Sequence, residues 1–160
     1  MQNKDDKNLR TIKTGASLPF INDNLCRGER HVLWIEWYES TRSLIRRKTD
    51  KGWVVQVEKS SKDIYDDGDI IFDNGSTHVE VKIKPCDTIV LNPRNIQETG
   101  KICFEIGNQH IPIFLNEQQE VMAAYDANLY NLLLSGEFIM HIDKKVLSPK
   151  QMVKAYGNFF

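Results

Sequence analysis

Residues 120–142, with the sequence EVMAAYDANLYNLLLSGEFIMHI, contain a complete strand–helix–strand pattern that decides the fold class. Residues 120–125 form an apolar run typical of a buried strand. Asp126 is a residue type that caps helix N-termini, and leucines follow it at helical spacing until residues 135–136 (Ser-Gly) end the pattern. Residues 137–142 then predict a closing strand.

Working outward, residues 87–91 (DTIVL) predict another strand, which precedes a second helical pattern. Asn92 is a plausible N-cap, with Pro93 at the first helical position, and Gly107 is a predicted C-cap. Residues 111–115 alternate as a strand does. The resulting order, β-α-β-β-α-β, is the ferredoxin-like plan.

The first half of the chain has a different pattern, of short strands separated by turn residues. Asn74 and Gly75 suit a hairpin turn, because both residue types tolerate positive φ. We therefore predict an α+β protein, with an all-β N-terminal domain over residues 9–85 and a ferredoxin-like domain over residues 86–160. The strand-like segments of the first half are residues 31–37, 52–58, 70–72 and 78–84.

The composition is that of an ordinary globular protein, with 160 residues, 41% hydrophobic and 27% charged. A formal net charge of -1 disfavours nucleic-acid and anionic-membrane partners. An odd set of three cysteines without a C-x-x-C pair fits reduced thiols. No apolar run is long enough for a membrane span, and the polar N-terminus lacks a signal-peptide core, so we expect a cytoplasmic protein.

His110 is the candidate functional residue, because it follows the predicted helix end and opens the predicted strand. Alternation along that strand directs Ile111, Ile113 and Leu115 to the core and leaves His110 facing solvent beside Phe114. In a twofold dimer, a residue near the axis meets its own copy, and two imidazoles with water or further ligands can hold Ni²⁺, Cu²⁺ or Zn²⁺. The alternative is a polar residue on a solvated face.

Residues 96–110 (IQETGKICFEIGNQH) resemble the signature of the UreE family of urease accessory nickel chaperones. In that family a GN-[RK]-H element follows the first helix of the second domain, here at residues 107–110. The resemblance extends from about Leu9 to Tyr156. It includes residues 34–37 (WIEW), 44–49 (LIRRKT) and 67–70 (DGDI), and the leucine-rich helix after Asp126.

The resemblance implies an N-terminal domain like the peptide-binding domain of Hsp40-type chaperones and a ferredoxin-like domain that dimerises. It implies that His110 binds nickel at the dimer interface and that the protein delivers Ni²⁺ to the urease apoprotein with the urease accessory GTPase. It implies no enzymatic activity. Motifs of hydrolases, P-loop proteins, metalloproteases and dinucleotide-binding enzymes are also missing from the sequence.

This chain departs from the family pattern at several positions. Gln109 replaces an Arg or Lys, and Tyr125 and Ala127 stand where many members carry histidines beside the aspartate. The C-terminal end has no histidine, although many members have a histidine-rich tail. We therefore expect few metal ions per dimer, about one, in labile coordination.

The other histidines are weaker candidates. We expect His31 and His78 to be surface or half-buried structural residues, with a ligand role for His31 left open, and His141 to be a weak candidate for a second ligand. The alternative function is a protein-interaction or peptide-binding chaperone module of the same fold with little or no metal binding. An RNA-binding module is disfavoured, because the aromatic RNA-recognition motif is absent.

Overall fold

The computed structural model describes residues 9–13, 28–58 and 64–154, and these fall into two compact units. The first unit ends at Lys84 and the second begins at Pro85. Each unit has its own buried apolar core, and the second carries two α-helices. The described residues therefore form mostly strands and two helices, which is compatible with the predicted α+β class. Cys26 and residues 155–160, although part of the predicted domains, lie outside the described residues.

The described part of the first unit is built from strands in two three-stranded sheets. One sheet has the order β1-β4-β3, with β1 parallel to β4, and the other has the order β2-β6-β5, with β2 parallel to β6. A short 3₁₀ turn follows β2. The strands are β1 (Leu9–Lys13), β2 (Glu29–Ile35), β3 (Leu44–Lys48), β4 (Val54–Glu58), β5 (Ile70–Asp73) and β6 (Thr77–Ile83).

The predicted hairpin at residues 74–75 is confirmed and joins β5 to β6. Gly75 has a φ of 82°, the left-handed conformation that glycine adopts without steric cost. The Asn74 side chain accepts hydrogen bonds from the backbone N–H groups of Ser76 and Thr77, at 3.0 and 2.8 Å. These bonds close the turn and set the antiparallel register of the two strands.

The second unit has one four-stranded sheet in the order β10-β7-β9-β8, with every neighbouring pair antiparallel. The two helices have 13 and 9 residues, against the roughly 20 needed to cross a bilayer, and no membrane-spanning helix occurs in the described part of the chain. The elements are β7 (Cys86–Leu91), α1 (Ile96–Asn108), β8 (Phe114–Leu115), β9 (Val121–Ala124), α2 (Ala127–Ser135) and β10 (Met140–Lys145).

The start of α1 differs from the prediction. The helix begins after Asn95, whose side chain accepts a hydrogen bond from the Glu98 backbone at 2.9 Å, and not after Asn92. The Glu98 carboxylate accepts a bond from the backbone N–H of Arg94 in return, so the Asn95 and Glu98 side chains each satisfy one backbone donor at this end. Pro93 lies outside the helix.

Helix α2 begins and ends as predicted. The Asp126 carboxylate accepts a hydrogen bond from the Leu129 backbone at 2.9 Å, and Gly136 follows the last turn. Both helices pack on one face of the sheet, because alternate strand residues share a core with the buried helix residues. That core contains Ile89, Leu91, Ile102, Ile106, Val121, Ala123, Leu129 and Leu133.

The other face of this sheet is also buried. Val90, Met122 and Phe114 are neighbours in register on this face, and all three are buried. The chain leaves β10 at one edge of the sheet and reaches the other edge at Met152, which forms a bridge with Phe114. Because the helices occupy the first face, the connecting residues cross the second one, where Leu147 is 0% exposed.

Candidate metal centre

The end of α1 gives His110 an unusual backbone. The predicted cap, Gly107, is still helical, and the helix continues to Asn108. Backbone N–H groups of Gln109 and His110 then donate to the carbonyls of Ile106 and Gly107, at 3.0 and 2.9 Å. His110 itself takes the left-handed conformation, with a φ of 56°. This conformation costs a residue with a side chain about 1–2 kcal/mol.

The segment after His110 corrects the predicted strand. Residues 111–113 have no regular secondary structure, and β8 contains only Phe114 and Leu115. Phe114 is 1% exposed and Leu115 is 40% exposed, the reverse of the prediction. Pairing with Met122 and Met152 explains the reversal, because it turns Phe114 toward the covered second face of the sheet.

The His110 side chain nevertheless lies at the surface, as the sequence indicates. Its imidazole is exposed and makes no hydrogen bond or ion pair with any other described residue. An imidazole in this state can offer a nitrogen lone pair to a metal ion, because no protein group competes for it.

An apolar stripe on α1 leads to His110. Ile96 is 82% exposed and Phe104 is 66% exposed, and both lie on the face of the helix opposite its buried residues. Gly100 and Gly107 share this face, and a Cβ atom added to either would meet nothing within 4 Å. We call Ile96, Gly100, Phe104 and Gly107 the α1 stripe. Large exposed apolar side chains in one row are typical of an interaction surface.

His141 is exposed but is not brought close to His110 within one chain. It pairs with Val90 near the end of β7, and α1 then runs back along the sheet before it reaches His110. The loop of residues 125–127 lies at the His110 end, since Tyr125 donates its backbone N–H to Asp87 at 2.8 Å. In that loop, the Asp126 carboxylate is engaged as the cap of α2.

His31 and His78 are buried, which corrects the prediction of surface or half-buried positions. The Nδ1 atom of His31 lies 3.2 Å from the Thr49 hydroxyl, and its ring centroid lies 4.0 Å from that of Trp53. His31 faces the core of its unit, and His78, on the adjacent strand, points to the opposite face of the sheet. Their packing indicates structural roles, since neither ring is open to solvent.

The remaining donors of the described residues do not form a cluster. No group of three or more His, Cys, Asp or Glu side chains is arranged there to hold a metal ion. The Cys86 sulfur lies 3.7 Å from the Thr88 hydroxyl, and burial raises the pKa of the Cys103 thiol. A metal ion at His110 therefore needs donors beyond those that the described residues of one chain assemble.

Similar proteins carry one consistent description. The chain is 37% identical over 100 residues to the urease accessory protein UreE of Acetivibrio thermocellus. The aligned part is 62% of this chain and 65% of that protein, so the chain spans slightly less than two thirds of the relative's length. It is 32% identical over 114 residues to UreE of Flavobacterium johnsoniae, which covers 70% and 67%. For UreE of Lysinibacillus sphaericus the identity is 27% over 144 residues, which covers 86% and 95%.

No protein-family model matches the chain. The relatives nevertheless confirm the resemblance inferred from residues 96–110, and they confirm that the chain is not an enzyme, because they are accessory proteins. This chain belongs to the UreE family of urease accessory proteins.

Proposed function

We propose that this protein is a homodimeric nickel metallochaperone of the cytoplasm that delivers Ni²⁺ to the urease apoprotein, together with the urease accessory GTPase. The observation that carries the proposal is His110, an exposed imidazole on a left-handed turn at the end of the apolar α1 stripe. Family membership supplies the client, since the relatives are urease accessory proteins.

The metal would be held by His110 from each of two copies. Imidazole nitrogen is a good ligand for Ni²⁺, and also for Cu²⁺ and Zn²⁺, so the residue type fits the proposed cargo. Two imidazoles leave coordination positions to water or to ligands of an acceptor protein. This openness suits a carrier, because a closed four-ligand cage would release its ion slowly.

The α1 stripe supports the dimer. Exposure of Ile96 and Phe104 is unfavourable in a monomer, and two glycines on the same face weaken the helix by about 0.5–1 kcal/mol each relative to alanine. A face without side chains at Gly100 and Gly107 lets a second helix approach closely. If two copies pair along this stripe about a twofold axis that passes close to its C-terminal end, their His110 residues meet there.

The element order supports a ferredoxin-like metal-binding and dimerisation domain over residues 86–160. In chain order, the sheet has its fourth strand next to its first, then its third and its second, with a helix in each of two crossovers. For residues 9–85, the strands of the described part are compatible with a peptide-binding-like domain that contacts the urease assembly machinery.

A Ni²⁺ titration by calorimetry tests the proposal. We expect about one ion per two chains for the wild type and loss of most of the binding in His110→Ala. His141→Ala is the matched control, because it removes an exposed histidine that the fold keeps away from His110. Undiminished binding in His110→Ala would contradict the site. No binding by the wild type would favour the protein-interaction module.

A further inference from the structure

We propose that the C-terminal strap, defined as residues 146–153, is a positioning element for His110. It would act through the backbone hydrogen bond that joins Val153 to Ile113. The inference rests on the proposed metal role of His110, and it assigns a function to a segment that contains no histidine, cysteine, aspartate or glutamate.

The C-terminal strap is only slightly longer than the distance that it spans. From β10 to Met152 the chain crosses four inter-strand steps of the sheet, or about 19 Å. The seven residue steps from Lys145 to Met152 reach at most about 25 Å when fully extended, and less here, because residues Pro149–Gln151 form a 3₁₀ turn. The strap is therefore held nearly taut between its two ends.

The strap is also fixed along its length. Leu147 and Pro149 are buried although they follow the last strand. The Ser148 side chain accepts a hydrogen bond from the Lys150 backbone at 3.2 Å and so caps the turn. Each contact restricts the strap, so that Met152 and Val153 have a defined position beside β8.

The end of the strap holds the chain that follows His110. Val153 donates its backbone N–H to the carbonyl of Ile113 at 2.8 Å, three residues beyond His110. On the other side, bonds from Gln109 and His110 to the last turn of α1 hold the residue from upstream. His110 is thus fixed from both directions in a stretch without regular secondary structure.

The backbone of His110 explains why the downstream anchor matters. A residue with a side chain at φ 56° is strained, and it keeps that conformation only when its surroundings impose it. If the bond to Ile113 is lost, residues 110–113 can relax to other conformations, and the imidazole loses its fixed direction. A ligand that must be ordered during binding gives weaker binding than one that is already in place.

Proline at position 153 removes the donor, whereas alanine keeps it, so Val153→Pro and Val153→Ala are a matched pair. By Ni²⁺ calorimetry we expect Val153→Pro to bind about five- to tenfold more weakly, the effect of losing one ordering hydrogen bond. We expect Val153→Ala to stay within about twofold of wild type. His110→Ala, measured in parallel, reports on the proposed site itself.

A second measurement uses the wild-type protein and needs no variant to fold. Coupling between two sites is reciprocal. If the strap strengthens Ni²⁺ binding by a given factor, Ni²⁺ binding should slow hydrogen exchange at the Val153 amide by about the same factor. Val153→Pro binding like wild type, or no change in Val153 exchange upon Ni²⁺ loading, would overturn the strap inference. If His110→Ala still loses Ni²⁺ binding in that case, the proposed function stands without the strap inference. Wild-type protein that binds no Ni²⁺ would overturn both the proposed function and the strap inference.

Discussion

The four histidines of this chain lie in two environments, and the difference separates rings with a structural role from rings that an ion can reach. In the first unit, His31 and His78 are enclosed by packed side chains. In the second unit, His110 and His141 are open to solvent. Residue type alone does not mark a metal ligand; a ring must also be accessible to an ion and to the protein that receives it.

A second comparison separates the two exposed histidines. His141 lies in a regular edge strand, in register with Val90. His110 lies on a strained turn at the end of the α1 stripe, the surface along which we propose that a second copy pairs. Backbone conformation and surroundings therefore distinguish two residues that composition treats alike.

The largest effect is expected from Phe104→Asp. This change places a charge in the centre of the α1 stripe and should raise the dimer dissociation constant by about 100-fold, as expected for a central apolar contact. Sedimentation equilibrium measures the shift. Leu44→Asp is the matched control, because Leu44 is also exposed but lies in the first unit. Dimers of equal strength in both variants would contradict pairing along the stripe.

An effect of similar size, on stability and not on assembly, is expected from His31→Ala. The change removes a buried ring that contacts Thr49 and Trp53, and we expect the free energy of unfolding to fall by about 2–4 kcal/mol. The exposed His141→Ala should change it by less than about 0.5 kcal/mol. Urea unfolding measures both. Equal losses would remove the distinction between buried and exposed histidines.

The smallest expected effect is on the pH dependence of stability. Hydrogen bonds from Arg94 hold the pKa of Glu98 below its ordinary value of 4.5. This pair therefore stabilises the fold fully above pH 4.5 and loses its contribution as the pH falls through the lower pKa of the folded state. Glu98→Gln should make the acid side of the stability profile shallower, as measured by urea unfolding between about pH 3 and pH 7. An unchanged profile would exclude this contribution.

Local sequence signals predicted several elements correctly, because the interactions behind them are local. The turn at Asn74 and Gly75 depends on backbone freedom and on side chains within three residues. The cap at Asp126 likewise needs only the N–H group of Leu129. The exposure of His110 agrees with its prediction, although that prediction rested on a strand that residues 111–113 do not form.

Other features depend on distant parts of the chain and were predicted wrongly. Alternation assigned Phe114 to the solvent, but the strap covers the second face of the sheet and buries it. Gly107 was the natural C-cap, yet the left-handed position falls on His110. The local pattern could not reveal either result, because Met152 and Val153 fix the segment from about 40 residues away.

The most direct test of the role of His110 is an NMR titration that follows all four imidazoles as Ni²⁺ is added to the wild-type protein. We expect only the His110 signals to broaden first, with saturation near one ion per two chains, while His31, His78 and His141 keep their positions. Early broadening of any other imidazole, or unaffected His110 signals at saturation, would contradict the assignment of the metal site to His110.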